Sequence, residues 1–120
     1  MNRSLVIKLT AGADEAEKCA QAFTVAATAL SAGVNVSMWL TGDAVWFAVP
    51  GKAEAFALPH AAQMADLRDA IIAAGTLTVC TQCATRRDIE KEDLIEGTRI
   101  AGAAAFVEEA LADAAQALVY

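Results

Sequence analysis

Positive charge is scarce in this chain. Nine Lys and Arg stand against fifteen Asp and Glu, a formal net charge of −6, which is the wrong sign for a surface that must neutralise nucleic-acid phosphates. Histidine occurs once, as His60, and with no partner near it in sequence no Ser/His/Asp set can be assigned. Neither G-x-G-x-x-G nor G-x-x-x-x-G-K-[ST] occurs, so there is no glycine loop of the kind that cradles phosphates. No uncharged apolar run reaches membrane-spanning length, which argues against a membrane protein. The opening segment MNRSLVIKLT is apolar over too few residues for a signal peptide, and Lys8 interrupts it. Cysteine is also sparse. Its three copies, an odd number with no framework spacing, fit free or transient thiols in a reducing compartment, most simply the cytoplasm.

Apolar side chains are abundant instead, at 57 % of the chain. Thirty residues are alanine, which favours helices and close packing. The length of 120 residues suits one domain, residues 1–120, with a real core. The surplus apolar surface then implies either a large core or cover by partners.

Residues 4–9, SLVIKL, read as a first strand. Asp14 and Glu17 form a D-x-x-E pair that predicts a capped helix start. Ala16, Cys19, Ala20, Phe23, Ala27 and Leu30 follow at helical spacing, with Gly33 as the stop. Cys19 lies on that stripe and reads as a small core hydrophobe. Residues 34–40 make a second strand, Asp43 caps a short helix over 44–49, and 52–59 is a loop after Pro50-Gly51. Trp46, Phe47 and Phe56 gather there, either as core or as an edge covered by a neighbour. His60 reads as a solvent-side residue at the start of a helix over 61–74, with Met64, Leu67, Ile71 and Ala74 on one face and Gly75 as the stop. An acidic surface loop leads to a brief fourth strand over 98–101. The helix after Gly102 is expected to turn Ala103, Phe106, Val107, Ala110 and Leu111 inward and Glu108, Glu109 and Asp113 to water. Residues 117–120 form a fifth strand. Strands alternating with helices make an α/β fold whose parallel sheet is covered on both faces.

The chemistry concentrates in residues 76–102, TLTVCTQCATRRDIEKEDLIEGTRIAG. Leu77, Thr78 and Val79 suit a buried strand, which puts Cys80 at its carboxyl end, where open α/β sheets hold their working residues. Gln82 to Arg87 contains no Gly or Pro and can begin a helical turn. The free N–H groups of that turn, with Arg86 and Arg87 nearby, would favour a thiolate. The Cys80/Cys83 pair has three chemical readings. Structural zinc needs four ligands, and only Cys19 and His60 remain to complete them. A thioredoxin-like dithiol normally sits in an early βα unit, whereas this pair lies two-thirds along the chain. The third reading is a single nucleophilic thiol with an accessory cysteine. Two inert cysteines at a strand end are the bland alternative.

VCTQCATRRDIEKEDLIEG followed by TRIAGAAAFVEEAL resembles the DsrE/DsrF-like sulfur-relay family. Its members have a cysteine at a strand end, an Arg-Arg or Arg-Gly step shortly after, an acidic E-D-L-type turn, then a strand and a Gly/Ala-rich helix. The likeness in element order covers nearly the whole chain, and its specific part spans residues 77–106. In the sulfur-transfer members the active cysteine stands six positions before the first arginine of that step. Here that cysteine is Cys80, with Arg86 following. Cys83 matches an extra cysteine of some subgroups, and Asp88 stands where the family commonly has Gly. The resemblance implies a three-layer α/β/α sandwich with a five-stranded, mainly parallel sheet. It also implies assembly into homotrimers or hexamers, for which the apolar cluster of Trp46, Phe47 and Phe56 is the expected contact surface on composition. Its functional implication is a persulfide carried on Cys80, with Cys83 as a resolving or releasing thiol and Arg86 and Arg87 binding the sulfur anion. Sulfur donor and acceptor proteins would be the partners, and no metal or cofactor is expected. A non-catalytic oligomeric binding module and a CxxC dithiol redox protein are the alternatives.

Overall fold

The computed structural model describes residues 3–120. Its strands are β1 (Ser4–Leu9), β2 (Asn35–Leu40), β3 (Thr76–Cys80), β4 (Arg99–Ala101) and β5 (Ala115–Val119). The helices between them are α1 (Ala16–Ser31), α2 (Lys52–Ala55), α3 (Met64–Ala74), α4 (Thr81–Arg86) and α5 (Ala103–Ala110). Strand order is β4-β3-β2-β1-β5, and every pairing is parallel. From β1 to β4 the chain steps one way across the sheet, so right-handed crossovers put α1 and α3 on one face. The α5 crossover returns past β1 to the far edge and by the same handedness lies on the other face. The architecture is the three-layer α/β/α sandwich. No helix among the described residues is long and apolar enough to cross a membrane.

Alternation along the strands makes the two faces of the sheet unlike. Ile7, Leu9, Val36, Met38, Leu40, Leu77 and Val79 point to the α1/α3 side and join Phe23, Met64 and Ile71 in one apolar core. Each fully buried aliphatic or aromatic side chain there contributes roughly 1.5–3 kcal/mol, so this layer supplies most of the stability. Strand register puts Lys8, Trp39 and Thr78 side by side on the opposite face, with Ser37, Cys80 and Arg99. Among the described residues only α5 covers that face, and none of its residues is buried. Phe106 packs edge-on against Trp39 at 5.5 Å between ring centres.

Several expectations change on this frame. Asp14 and Glu17 do not cap α1. Ala13–Glu15 tighten into a 3-10 turn, and α1 starts at Ala16 with no side-chain cap. The amide of Glu15 donates to the Gly12 carbonyl at 3.0 Å, satisfying a donor that a cap would have served. The helix expected over 44–49 is a 3-10 segment, Gly42–Ala48, and the loop expected from residue 52 begins with α2. Phe47 is core and meets both Phe23 and Phe56 edge-on at 5.7 Å, while Lys52 lies over Trp46 at 5.5 Å. Phe47 is therefore interior, while Trp46 and Phe56 are half-buried against the core. In α5 the expected faces are partly exchanged. Val107 and Leu111 are 51 % and 79 % exposed, with Val119 of β5 at 65 %, whereas Glu109 turns inward because the sheet beneath it is polar.

Two glycines end helices for different reasons. Gly33 takes φ +83°, and the amides of Gly33 and Val34 reach back to Leu30 and Ala29 at 3.0 and 3.1 Å, the Schellman arrangement. At Gly75 the need is space, because a Cβ would lie 2.8 Å from the Val36 carbonyl oxygen. An ion pair between a buried arginine and a half-exposed glutamate ties α2 to α3. Arg68, 3 % exposed, donates to both carboxylate oxygens of Glu54 at 3.0 and 2.8 Å and to Asp69 at 3.0 Å. Those bonds from Arg68 hold the Glu54 carboxyl at about 2.

Candidate active site at the carboxyl end of the sheet

Cys80 is the last residue of β3 and the residue from which α4 departs, at φ −64° and ψ 127°. The sheet fixes its backbone while its partly exposed side chain faces the crevice beyond the strand ends. Burial pushes the Cys80 thiol up, but this is outweighed. The Cys83 amide, the Cys83 thiol, the Gln82 amide and the charge of Lys8 together hold it below the usual thiol value. Cys83 is buried one turn later in α4. Cys19 is a different thiol altogether. It is buried, donates to the carbonyl oxygens of Ala11 and Gly12 at 3.2 and 3.0 Å, and is pushed up to about 11 by burial and then by Asp14 and Glu15.

Cys80 opens on a cleft of about 890 Å³. Lys8 and Thr10 enter it from the end of β1, Trp39 and Thr41 from β2, and Phe106 and Val107 from α5. Among its lining residues none is acidic, and Lys8 is the single charge. The Lys8 ammonium lies 5.0 Å from the centre of the Phe106 ring, and among the described residues no carboxylate stands within salt-bridge distance of it. A cation over an aromatic wall, without an acidic partner, is arranged to meet an anion.

The structure brings Cys80 and Cys83 together, and it places Arg86 and Arg87 elsewhere than in the cleft lining. Arg87 is a structural clamp. Its guanidinium donates to the Asp43 carboxylate at 2.9 and 2.8 Å and to the Cys83 carbonyl at 3.0 Å, tying α4 to the Gly42–Ala48 segment. Arg86 is exposed, with one nitrogen 4.0 Å from Cys83 Sγ. Asp88, after the arginines, takes φ +55°, a left-handed conformation that Asp tolerates better than most non-glycine residues. His60 sits exposed at φ +63° and lines a different depression, beside Pro59 and Tyr120.

Two features escaped the sequence reading. Lys8 was visible only as an interruption of β1, although a lysine on the face opposite Ile7 and Leu9 is the alternation signal that points it at this cleft. The second is Glu109. It accepts from Ser37 Oγ at 2.5 Å, from Trp39 Nε1 at 3.0 Å and from Arg99 at 2.6 Å, and Arg99 also donates to Thr78 Oγ1 at 2.8 Å. Burial alone would raise the Glu109 carboxyl, but the Ser37, Arg99 and Trp39 bonds and the Arg99 charge bring it below its usual range. Glu109 follows Phe106 by three positions, so both lie on one helix face, and together they anchor α5 over the cleft.

The frame is thus a parallel five-stranded α/β sandwich with a lowered thiol at the carboxyl end of β3, beside a cleft. The chain belongs to the DsrE/DsrF-like family, whose model matches residues 3–119, a family associated with sulfur relay. Among solved structures it is similar to the YchN protein from E.coli, with TM-score 0.79, 16 % identity and full coverage of both chains. It is also similar to MTH1491 from Methanobacterium thermoautotrophicum, a protein of unknown function, with TM-score 0.69 and 9 % identity over 99 % of this chain and 100 % of that one. At these identities the two structures establish the fold alone. No curated protein matches the sequence.

Proposed function

We propose that this protein is a sulfur carrier of the reducing cytoplasm. The observation that carries the reading is Cys80 itself, a partly exposed thiol lowered by the Cys83 and Gln82 amides and by Lys8, facing an open cleft. The Cys80 thiolate attacks the outer sulfur of a donor persulfide. A bond from Sγ to that sulfur forms, the donor's S–S bond breaks, and the donor leaves as a thiolate. The outer sulfur then rides as Cys80–S–S⁻ until an acceptor thiolate attacks it and Cys80 leaves in turn.

Cys83 is the releasing thiol in this reading. Its sulfur attacks Cys80 Sγ, the persulfide's outer sulfur departs as HS⁻, and a Cys80–Cys83 disulfide remains. Arg86, exposed beside Cys83, offers a cation to an incoming protein, whereas Arg87 serves by holding α4 on Asp43. Donor and acceptor proteins are the partners. A homotrimer or hexamer is the proposed assembly, with Leu111 and Val119 as the apolar side chains left for a neighbouring copy to cover.

Incubation with a persulfide donor followed by intact mass spectrometry tests the reading. The native protein should gain the mass of one sulfur atom per chain. Persistent absence of the adduct favours the non-catalytic binding module. A reversible Cys80–Cys83 disulfide together with no sulfur adduct in the Cys83→Ser variant, which cannot release by that route, favours the dithiol redox protein, which the closeness of the two thiols also permits.

A further inference from the structure

We propose that the cleft beside Cys80 binds a small organic persulfide, singly charged and with an apolar body, which hands its outer sulfur to Cys80 without a protein donor. This rests on the sulfur-carrier reading and names what enters the site.

Three observations carry it. The cleft measures about 890 Å³, within the range of roughly 300–1,000 Å³ typical of small-molecule sites. Its walls include Trp39, Phe106 and Val107, an apolar surface that a multiply charged or strictly inorganic sulfur donor does not use. Its one charge is Lys8, held 5.0 Å from the Phe106 ring centre, so a ligand body packed on Phe106 has its sulfur end beside the ammonium. The chain as a whole carries −6, which disfavours ligands with several negative charges and leaves a single anion as the complement of a single lysine.

The transfer balances without any further reagent. The bound persulfide anion takes a proton from solvent, the Cys80 thiolate attacks the outer sulfur of the resulting R–S–SH, a new S–S bond forms, and the donor's own S–S bond breaks with its electron pair going to R–S⁻. The products are Cys80–S–SH and an organic thiolate, which the Lys8 ammonium stabilises as it leaves.

The test compares benzyl persulfide, glutathione persulfide and inorganic polysulfide on wild type, Phe106→Ala and Val107→Glu, following Cys80 loading by intact mass against time and donor concentration. Loading from benzyl persulfide should saturate and exceed that from glutathione persulfide by about tenfold, the scale of discrimination an apolar pocket provides. Both variants should bring that preference close to unity. Val107 is already half exposed, so Val107→Glu keeps the fold even where Phe106→Ala does not. Equal, non-saturating rates from the two organic persulfides overturn the proposal, as does a preference that Val107→Glu leaves intact. Loading from polysulfide in that case leaves the carrier reading standing. No loading from any of the three donors removes the carrier reading, and the proposal with it.

Discussion

Lys8 and Cys80 project from the same face of the sheet, two strands apart, and line one cleft. Trp39 stands between them, in register with Lys8 on one side and with Thr78 on the other. The lysine sits across the sheet from the cysteine, and its charge is one of the influences that lower the thiol.

Lys8→Gln should therefore raise the pH at which Cys80 becomes reactive. Iodoacetamide labelling rates against pH, read by mass spectrometry, should shift upward in this variant, more at low salt than at high salt. Arg86→Gln should shift the profile less, since its side chain lies beside Cys83 and outside the cleft lining. An equal shift in the two variants would return the arginine to the role the sequence suggested.

The two cysteines of the motif should separate cleanly. Cys80→Ser should abolish persulfide loading, whereas Cys83→Ser should load and hold its sulfur longer, because the releasing thiol is gone. Loading that survives in Cys80→Ser and vanishes in Cys83→Ser would reverse the assignment.

Glu109→Gln should loosen α5. The amide keeps acceptors for Ser37 and Trp39 but gives up the charged bond to Arg99. Loss of a hydrogen bond to a charged group costs about 1.5–3 kcal/mol, read here as a lower urea midpoint. Amide exchange should accelerate first in residues 103–110. A midpoint equal to wild type would show that Phe106 alone holds the helix.

Glu54 should make stability depend on pH at the acid end. Its carboxyl is lowered to about 2 by Arg68, against about 4.3 in an unfolded chain. The stabilising contribution is thus fully present above the unfolded value and disappears as pH falls through the folded one. The urea midpoint of wild type should exceed that of Glu54→Gln at neutral pH, and the two should converge near the folded value. Salt should narrow the gap, since Glu54 is half exposed.

Light scattering should find an oligomer at micromolar concentration. Leu111→Lys, at the most exposed of the large apolar side chains, should weaken it without lowering the melting temperature of the fold. A monomeric wild type would remove the assembly from the proposal.

The elements with strong periodicity were legible in the sequence. β1 falls on the residues 4–9 read as a strand, α1 keeps Cys19 and Phe23 on its buried stripe, and Cys80 ends its strand as the β-branched run before it foretold. Local spacing said less where tertiary partners decide. Nothing in 42–59 shows that Phe47 closes over Phe23, so a short apolar segment there fits helix, 3-10 turn or interface equally. Glu109 looked solvated because acidic residues usually are, and only the placement of Ser37, Trp39 and Arg99 on adjoining strands makes its inward turn favourable. Lys8 was likewise invisible as a partner of Cys80, because 72 positions of chain separate two residues that the sheet sets on one face.

The unlike faces of the sheet have a consequence for how such a chain can diverge. Ile7, Leu9, Met38, Leu77 and Val79 keep the fold from one side of the strands, while Lys8, Cys80 and Arg99 look out from the other. A substitution at an odd-numbered position of β1 is paid in stability and one at position 8 in reactivity. Inheritance can thus rewrite the reactive side, changing the cation or even the thiol, while the scaffold beneath it stays the same.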